Sequence, residues 1–180
     1  MIAAAIVCAA VISQGAQFDW KTAKSGGAVN GPEGKALSAS TAYIFESTAA
    51  ATIVSLFAEG KDWTAGALDS NTIASTGKIA AKDGQPFTYK EGQAATINAI
   101  FAFEETIGDQ KYLYISSLGT QSAEAVGAQT IQFTEGGVST AIKDAKAGYT
   151  TAGWYTVPEP TSGLLLLLGV AGLALRRRRA

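Results

Sequence analysis

The sequence predicts a mainly β protein, an antiparallel β-sandwich or rolled sheet with one packed helix, followed by a hydrophobic helix at the C-terminus. Three observations lead to this prediction. Short segments rich in β-branched and aromatic residues are separated by glycine-containing turns, as in an all-β domain. One alanine-rich segment has helical spacing, and residues 164–175 form an uninterrupted run of apolar and small residues.

The strand signal is strongest in residues 96–104, where every second residue from Ile97 to Phe103 is apolar. Alternate side chains of a strand point to the same side, so these residues would share one face. A turn at residues 108–110 joins this segment to the next as a hairpin. The predicted strands cover residues 41–45, 72–80, 96–104, 111–116 and 129–134, with a shorter alternation at Phe87 and Tyr89, and residues 138–157 are expected to close the sheet.

The one predicted helix of the body covers about residues 48–59. Its alanines favour a helix, Ser47 is a candidate N-cap, and Gly60 stands where a helix-terminating glycine belongs. The apolar residues recur at helical spacing and would form one face. They are Ala50, Ile53, Val54 and Phe57. Ile53 and Val54 are β-branched, so a strand remains the alternative there.

The N-terminal residues 1–16 have the pattern of a secretory signal peptide. An apolar run over residues 2–12 is followed by small residues at Ser13 and Gly15, the spacing that signal peptidase requires. Cleavage is expected after Gly15 or after Ala16, which implies export by the Sec machinery. No lysine or arginine precedes the run, so we expect the true start to lie upstream or the initiating Met to be misassigned.

The C-terminal residues 157–180 have the pattern of a membrane anchor. A Pro-Glu-Pro turn precedes the apolar run 164–175, and four arginines follow it. The prolines exclude a continuous helix, and the arginines resist translocation. As a helix the run rises only about 18 Å, against a hydrocarbon core of roughly 30 Å. We therefore expect a marginal transmembrane helix that is held briefly and then removed.

This order of turn, leucine-rich run and terminal arginines resembles the PEP-CTERM protein-sorting signal of Gram-negative bacteria. The resemblance implies recognition by an exosortase, a membrane transpeptidase that cleaves near Pro-Glu-Pro. The product would be released or transferred to the cell surface or exopolysaccharide matrix. The residues that match the sorting motif are Val157, Pro158, Glu159, Pro160 and Thr161, and those that match its cytoplasmic stop are Arg176, Arg177, Arg178 and Arg179.

Between these ends, residues 17–156 form a body of the size of one domain. All four arginines lie in the tail, so the body has ten lysines against fourteen acidic residues. This balance argues against nucleic acid as a partner, because binding a phosphate backbone needs a clustered basic surface. The single cysteine, Cys8, lies in the signal segment. The body can therefore form no disulfide.

The residue inventory excludes much of enzyme chemistry. The chain has no histidine, so a Ser-His-Asp triad and a histidine-ligated zinc are excluded. We expect no catalysis, no cofactor and no metal. Glu104 and Glu105 are the only adjacent acidic pair of the body, but neighbours in a strand face opposite sides. We interpret them as solvated charges at a strand end.

Two kinds of ligand site remain to be considered. Aspartates 62, 69 and 83 offer oxygen ligands for calcium, yet they form no Asp-x-Asp-x-Asp loop. Trp63, Trp154 and Tyr155 are a possible aromatic platform for sugar rings. Three functions therefore compete for the body: a structural or matrix protein, which we favour, a carbohydrate-binding surface module, and a carboxylate-dependent secreted hydrolase.

Overall fold

The structure is a computed structural model that describes residues 15–24, 27–82, 84–134 and 141–157. The predicted C-terminal helix at residues 164–175 lies outside the described residues, as does most of the predicted signal segment. Among the described residues, none of the helices has the length and apolar character needed to span a membrane.

The described residues form two β-sheets and one α-helix, which confirms the mainly β prediction. In chain order the elements are β1 (Ala16–Thr22), β2 (Ser40–Glu46), α1 (Ala50–Ala58), β3 (Asp69–Ile73), β4 (Phe87–Lys90), β5 (Ala95–Ile107), β6 (Gln110–Ile115), β7 (Gly119–Ala123), β8 (Ala128–Phe133), β9 (Ile142–Asp144) and β10 (Gly153–Thr156). Short 3₁₀ turns precede α1 and follow β9.

The smaller sheet has the order β4-β1-β8, and the larger sheet has the order β3-β2-β5-β6-β10-β9, with β7 also paired to β5. The expectation of an antiparallel arrangement holds for most pairs. It is wrong for β1 with β8 and for β9 with β10, which pair in parallel. Most of the domain lies between β1 and β8, which supplies the long connection that parallel strands usually need. Strands β9 and β10 are joined by the short segment 145–152.

The strand β5 lies at the centre of the larger sheet and contributes to both cores. Its side chains from Ile97 to Phe103, taken alternately, pack toward the smaller sheet, whereas Ile100 and Ala102 pack toward α1. The molecule is therefore layered as small sheet, large sheet and helix. The middle layer has apolar residues on both faces, which explains the unbroken apolar stretch over residues 99–103.

The helix α1 confirms the prediction for residues 48–59 and ends as expected. The Lys61 N–H donates to the Leu56 carbonyl (2.9 Å) and the Gly60 N–H donates to the Phe57 carbonyl (3.0 Å). Gly60 has a φ of +66°, so the two bonds form a Schellman motif. The N-terminal prediction is wrong, because Ser47 begins a 3₁₀ turn and Ala49 occupies the N-cap without a side-chain hydrogen bond.

Candidate functional site at the exit of the C-terminal tail

The C-terminal tail leaves the body beside the β5–β6 turn. Strand β10 pairs antiparallel with β6, which brings Thr156 opposite Tyr112. The Gln110 side-chain amide then donates to the Thr156 hydroxyl (2.8 Å) and to the Val157 carbonyl (3.1 Å). These bonds hold the last described residue against the body, so the segment that follows starts from a fixed point.

A cavity of about 380 Å³ opens at this exit. It lies between the C-terminal end of α1 and the β5–β6 turn, and Val157 forms part of its wall. Its apolar surface comes mainly from Phe57, Ala58, Trp63 and Val157, and its polar surface from Glu59, Lys61, Glu104, Asp109, Gln110 and Lys111. The volume falls at the lower end of the range of small-ligand sites.

The charges around the cavity are arranged mostly in pairs. Lys61 Nζ lies 2.6 Å from Glu59 Oε2, and this hydrogen bond raises the pKa of Lys61. Lys111 Nζ lies 2.7 Å from Glu104 Oε1. Asp109 is exposed in the turn. The rim therefore has three carboxylates and two lysines, and it has no basic patch.

Trp63 forms the inner wall of the cavity and is only 6% exposed. Its ring meets Tyr43 edge to face at 5.6 Å between centroids. Its indole N–H donates to Glu104 Oε2 (3.3 Å). One residue thus joins the aromatic packing under the large sheet to the polar rim of the cavity.

The hypothesis of a shared platform of Trp63, Trp154 and Tyr155 is wrong. Trp154 and Tyr155 are neighbours on β10 and point to opposite faces of the sheet, and both are 0% exposed. Trp154 packs in the core between the sheets and donates its indole N–H to the Asn30 carbonyl (2.8 Å). Tyr155 packs in the core under α1 with Trp63. Only Trp63 borders the cavity.

The two adjacent glutamates point to opposite faces of β5, as expected, but their surroundings differ. Glu104 borders the cavity and is partly exposed. Glu105 is 3% exposed, so the interpretation of both residues as solvated charges is wrong for Glu105. Its Oε1 accepts hydrogen bonds from the Ser38 N–H (2.9 Å) and the Ser38 hydroxyl (2.8 Å). Glu105 therefore anchors the loop that leads into β2.

Two of the aspartates considered for calcium, Asp62 and Asp69, have different partners. Asp62 accepts from the Thr64 N–H and hydroxyl (2.9 and 2.6 Å), and these hydrogen bonds lower the pKa of Asp62. Asp69 pairs with Lys82 at 2.9 Å and accepts from the Trp20 indole N–H at 2.8 Å. Position 83 lies outside the described residues. Across the described ranges, no three His, Cys, Asp or Glu side chains are grouped as metal ligands.

Sequence reasoning missed the role of Gln110 and the position of α1 next to the tail. No local signal marks Gln110, because its partners Thr156 and Val157 are 46 and 47 positions away. The position of the β5–β6 hairpin in the sequence is the signal that could have placed its turn near the tail. A hairpin turn and the end of a neighbouring antiparallel strand come together at the same edge of a sheet.

Comparison with known families confirms the sorting signal predicted for the tail. The model of the PEP-CTERM protein-sorting motif matches residues 156–179. The chain carries a PEP-CTERM sorting signal. The PEP-CTERM match begins at Thr156, the last residue of β10, so the sorting signal follows the folded body without a linker. No curated protein and no solved structure matches the chain.

The PEP-CTERM signal implies a secreted, membrane-transiting protein that is processed by exosortase-type machinery. Of the predicted sorting residues, Val157 is described and lies at the cavity. The remaining ones, residues 158–161 and 176–179, lie outside the described part of the chain.

Proposed function

We propose that this protein is an exported structural component of the cell surface or exopolysaccharide matrix of a Gram-negative bacterium. Sec export and signal peptidase cleavage produce a precursor held in the inner membrane by residues 164–175. An exosortase-type transpeptidase then cuts the chain at Pro-Glu-Pro, and the body acts at its destination without catalysis.

The observation that carries this proposal is the PEP-CTERM match over residues 156–179. The arrangement of the body supports it. The match starts where β10 ends, and Gln110 holds Val157 against the folded domain. All the described strands precede the cleavage motif, so cleavage there would leave each of them in the product.

The arrangement of carboxylates supports a role without catalysis. A glycosidase needs two carboxyl groups that face the same sugar at about 5 to 10 Å. Glu104 and Glu105 lie on opposite sides of β5, Glu104 is engaged by Lys111, and Glu105 is engaged by Ser38. The carboxylate-dependent hydrolase is therefore the weakest of the three functions.

The test of the main proposal is the intact mass of the protein from cells with and without the sorting enzyme. We expect the wild-type product to end near Pro158–Pro160 and the precursor from the enzyme-deficient cells to retain Arg176–Arg179. Replacing the four arginines with glutamates should weaken membrane retention, whereas replacing them with lysines should preserve it, because both basic side chains resist translocation. Identical masses with the tail retained in both strains would refute processing.

Saccharide binding at the exit cavity is the second candidate. It is favoured by the lining of the cavity, which combines Trp63 and Gln110 with the ion pair of Glu104 and Lys111. Sugar sites combine an aromatic surface with side chains that both donate and accept hydrogen bonds.

The test uses the processed body on immobilised exopolysaccharide. If the cavity binds saccharide, Trp63→Phe and Gln110→Ala should weaken retention several-fold, while Gln129→Ala on the exposed part of β8 should leave it unchanged. Equal retention of all three variants and the wild type would exclude the cavity as the site. Thermal unfolding of each variant separates a loss of binding from a loss of folding.

A further inference from the structure

The two termini of the described body leave it at opposite ends. The tail leaves at Val157, beside the β5–β6 turn at residues 108–109. The N-terminal segment enters at Gly15, whose N–H donates to the Ala125 carbonyl (3.0 Å). Ala123 pairs with Ala95, the first residue of β5. We call the region of residues 59–61, 108–111 and 157 the tail-exit end, and the region of residues 15, 91–94 and 124–127 the opposite end.

Strand β5 sets the distance between these ends. It runs from Ala95 at the opposite end to Ile107 at the tail-exit end, a length of 13 residues. At about 3.3 Å per residue the strand is roughly 40 Å long. This length is larger than the spacer available between the body and the apolar run of the tail.

That spacer is short. Seven peptide steps separate Val157 from Leu164, the first residue of the apolar run. Even a fully extended chain covers at most about 25 Å over seven steps. The headgroup layer takes about 5 to 8 Å of this reach. Val157 must therefore lie within about 20 Å of the headgroup surface whenever Leu164 is at the hydrocarbon boundary.

From these distances we infer that the anchored precursor stands on the membrane, with the tail-exit end toward the lipid headgroups and the opposite end about 40 Å further out. This inference rests on the proposed function, because it requires the tail to be inserted. It has a consequence for the N-terminus: Gly15 is then too far from the bilayer for a signal segment to remain inserted, so signal cleavage precedes this orientation.

The tether holds the tail-exit end near the bilayer. The body has fourteen acidic residues against ten lysines, so anionic lipid does not draw the opposite end down to the membrane. The tail-exit end presents the ion pairs Lys61–Glu59 and Lys111–Glu104 together with Asp109, so its net charge is slightly negative. Such a surface is not attracted to anionic lipid. The orientation should therefore persist at high salt and disappear when the spacer is lengthened.

The experiment uses the precursor from cells that lack the sorting enzyme, reconstituted in vesicles of phosphatidylethanolamine and phosphatidylglycerol. The body has no cysteine, so single fluorophores can be placed by Asp109→Cys at the tail-exit end and by Glu91→Cys at the opposite end. Both side chains are exposed. If Cys8 is retained, it is replaced by Ser. Lipids with a nitroxide on the headgroup serve as the quencher.

We expect quenching at position 109 to exceed that at position 91 several-fold, with no change at high salt. Inserting about twenty Gly and Ser residues after Val157 adds a flexible spacer of about 25 Å and should reduce the quenching at 109 to the level at 91. Equal quenching at both positions without the insertion means that the body lies flat, and stronger quenching at 91 means the reverse orientation. Either result overturns the inference.

A third label separates failure of the orientation from failure of the proposed function. Leu168→Cys lies in the apolar run, and it should be quenched by lipids with a nitroxide on the acyl chain. If position 168 is quenched and position 109 is not, the anchor inserts and only the orientation is wrong. If position 168 is not quenched, the tail is not a membrane anchor, and both the inference and the proposed anchoring are refuted.

Discussion

The buried carboxylate of Glu105 provides a quantitative test of how the loop before β2 is held. Its Oε1 accepts two hydrogen bonds from Ser38, whereas its Oε2 is buried without a hydrogen-bond partner among the described residues. The hydroxyl of Ser40 is in the same situation. The β2–β5 register, continued by two residues from Ala42 opposite Phe103, places Ser40 opposite Glu105.

Replacing Glu105 with alanine should destabilise the protein by about 2 kcal/mol. The change removes two hydrogen bonds to a charged acceptor, worth about 1.5 kcal/mol each at the low end because Ser38 is exposed. It also removes one buried methylene group, worth about 0.8 kcal/mol. Removing the buried oxygen that has no hydrogen-bond partner offsets about 1 to 2 kcal/mol of this loss in stability.

Replacing Glu105 with glutamine should change the stability by less than about 1 kcal/mol. The amide carbonyl still accepts from Ser38, although each hydrogen bond to a neutral acceptor is weaker. The amide nitrogen takes the place of the unpartnered oxygen and can donate to the Ser40 hydroxyl across the strand pair, where opposite Cβ atoms lie about 5 Å apart. The stability gained from the new hydrogen bond to Ser40 is similar in size to the stability lost from the weaker hydrogen bonds to Ser38.

Urea denaturation followed by tryptophan fluorescence measures both variants on the same scale. We expect the glutamine and alanine variants to differ by about 1 to 2 kcal/mol with equal m-values. If glutamine is as destabilising as alanine, the charge of Glu105 rather than its hydrogen bonds to Ser38 stabilises the loop, and the reasoning is refuted. Ser40→Ala in the glutamine background isolates the proposed cross-strand bond.

Two further predictions follow from the backbone and from the surface. Gly77→Ala should destabilise the body by more than 3 kcal/mol in thermal or urea unfolding, because the new Cβ would lie 2.0 Å from the Val29 carbonyl oxygen. Gly60→Ala, at a similar positive φ but with no atom within 4 Å, should cost only about 1 kcal/mol, and equal losses would contradict the steric argument. The hydrogen bond from Tyr89 to Glu46 raises the pKa of Tyr89. The contribution of this hydrogen bond to stability is therefore complete below pH ~10 and is lost as the pH rises through the raised pKa. We expect Tyr89→Phe to lower the free energy of unfolding by about 1 kcal/mol at pH 7 and by less at pH 11. A loss of stability that does not depend on pH would argue against the hydrogen bond.

The local elements could be predicted because their signals lie within a few residues. The alternation in β5, the hairpin into β6 and the glycine that ends α1 each depend on neighbouring side chains or on one backbone conformation. The sorting signal belongs to the same class. Its turn, apolar run and arginines are contiguous in the sequence.

Strand β1 was missed for a physical reason. It alternates apolar and polar residues over Ala16–Thr22, but it adjoins the predicted signal segment. Its parallel partner β8 begins at Ala128. A parallel pair has no turn between its strands, so nothing in the local sequence marks the pairing.

The sequence by itself determined the sorting signal of this protein and the strands β2, β4, β5, β6 and β8, because both are local properties of the chain. Only the tertiary structure decided which aromatic and acidic side chains are buried. Trp154 and Asn30 are 124 positions apart and share a hydrogen bond, and Glu105 is buried while its neighbour Glu104 borders a cavity. Burial depends on which layers come together, and side chains far apart in sequence decide that jointly.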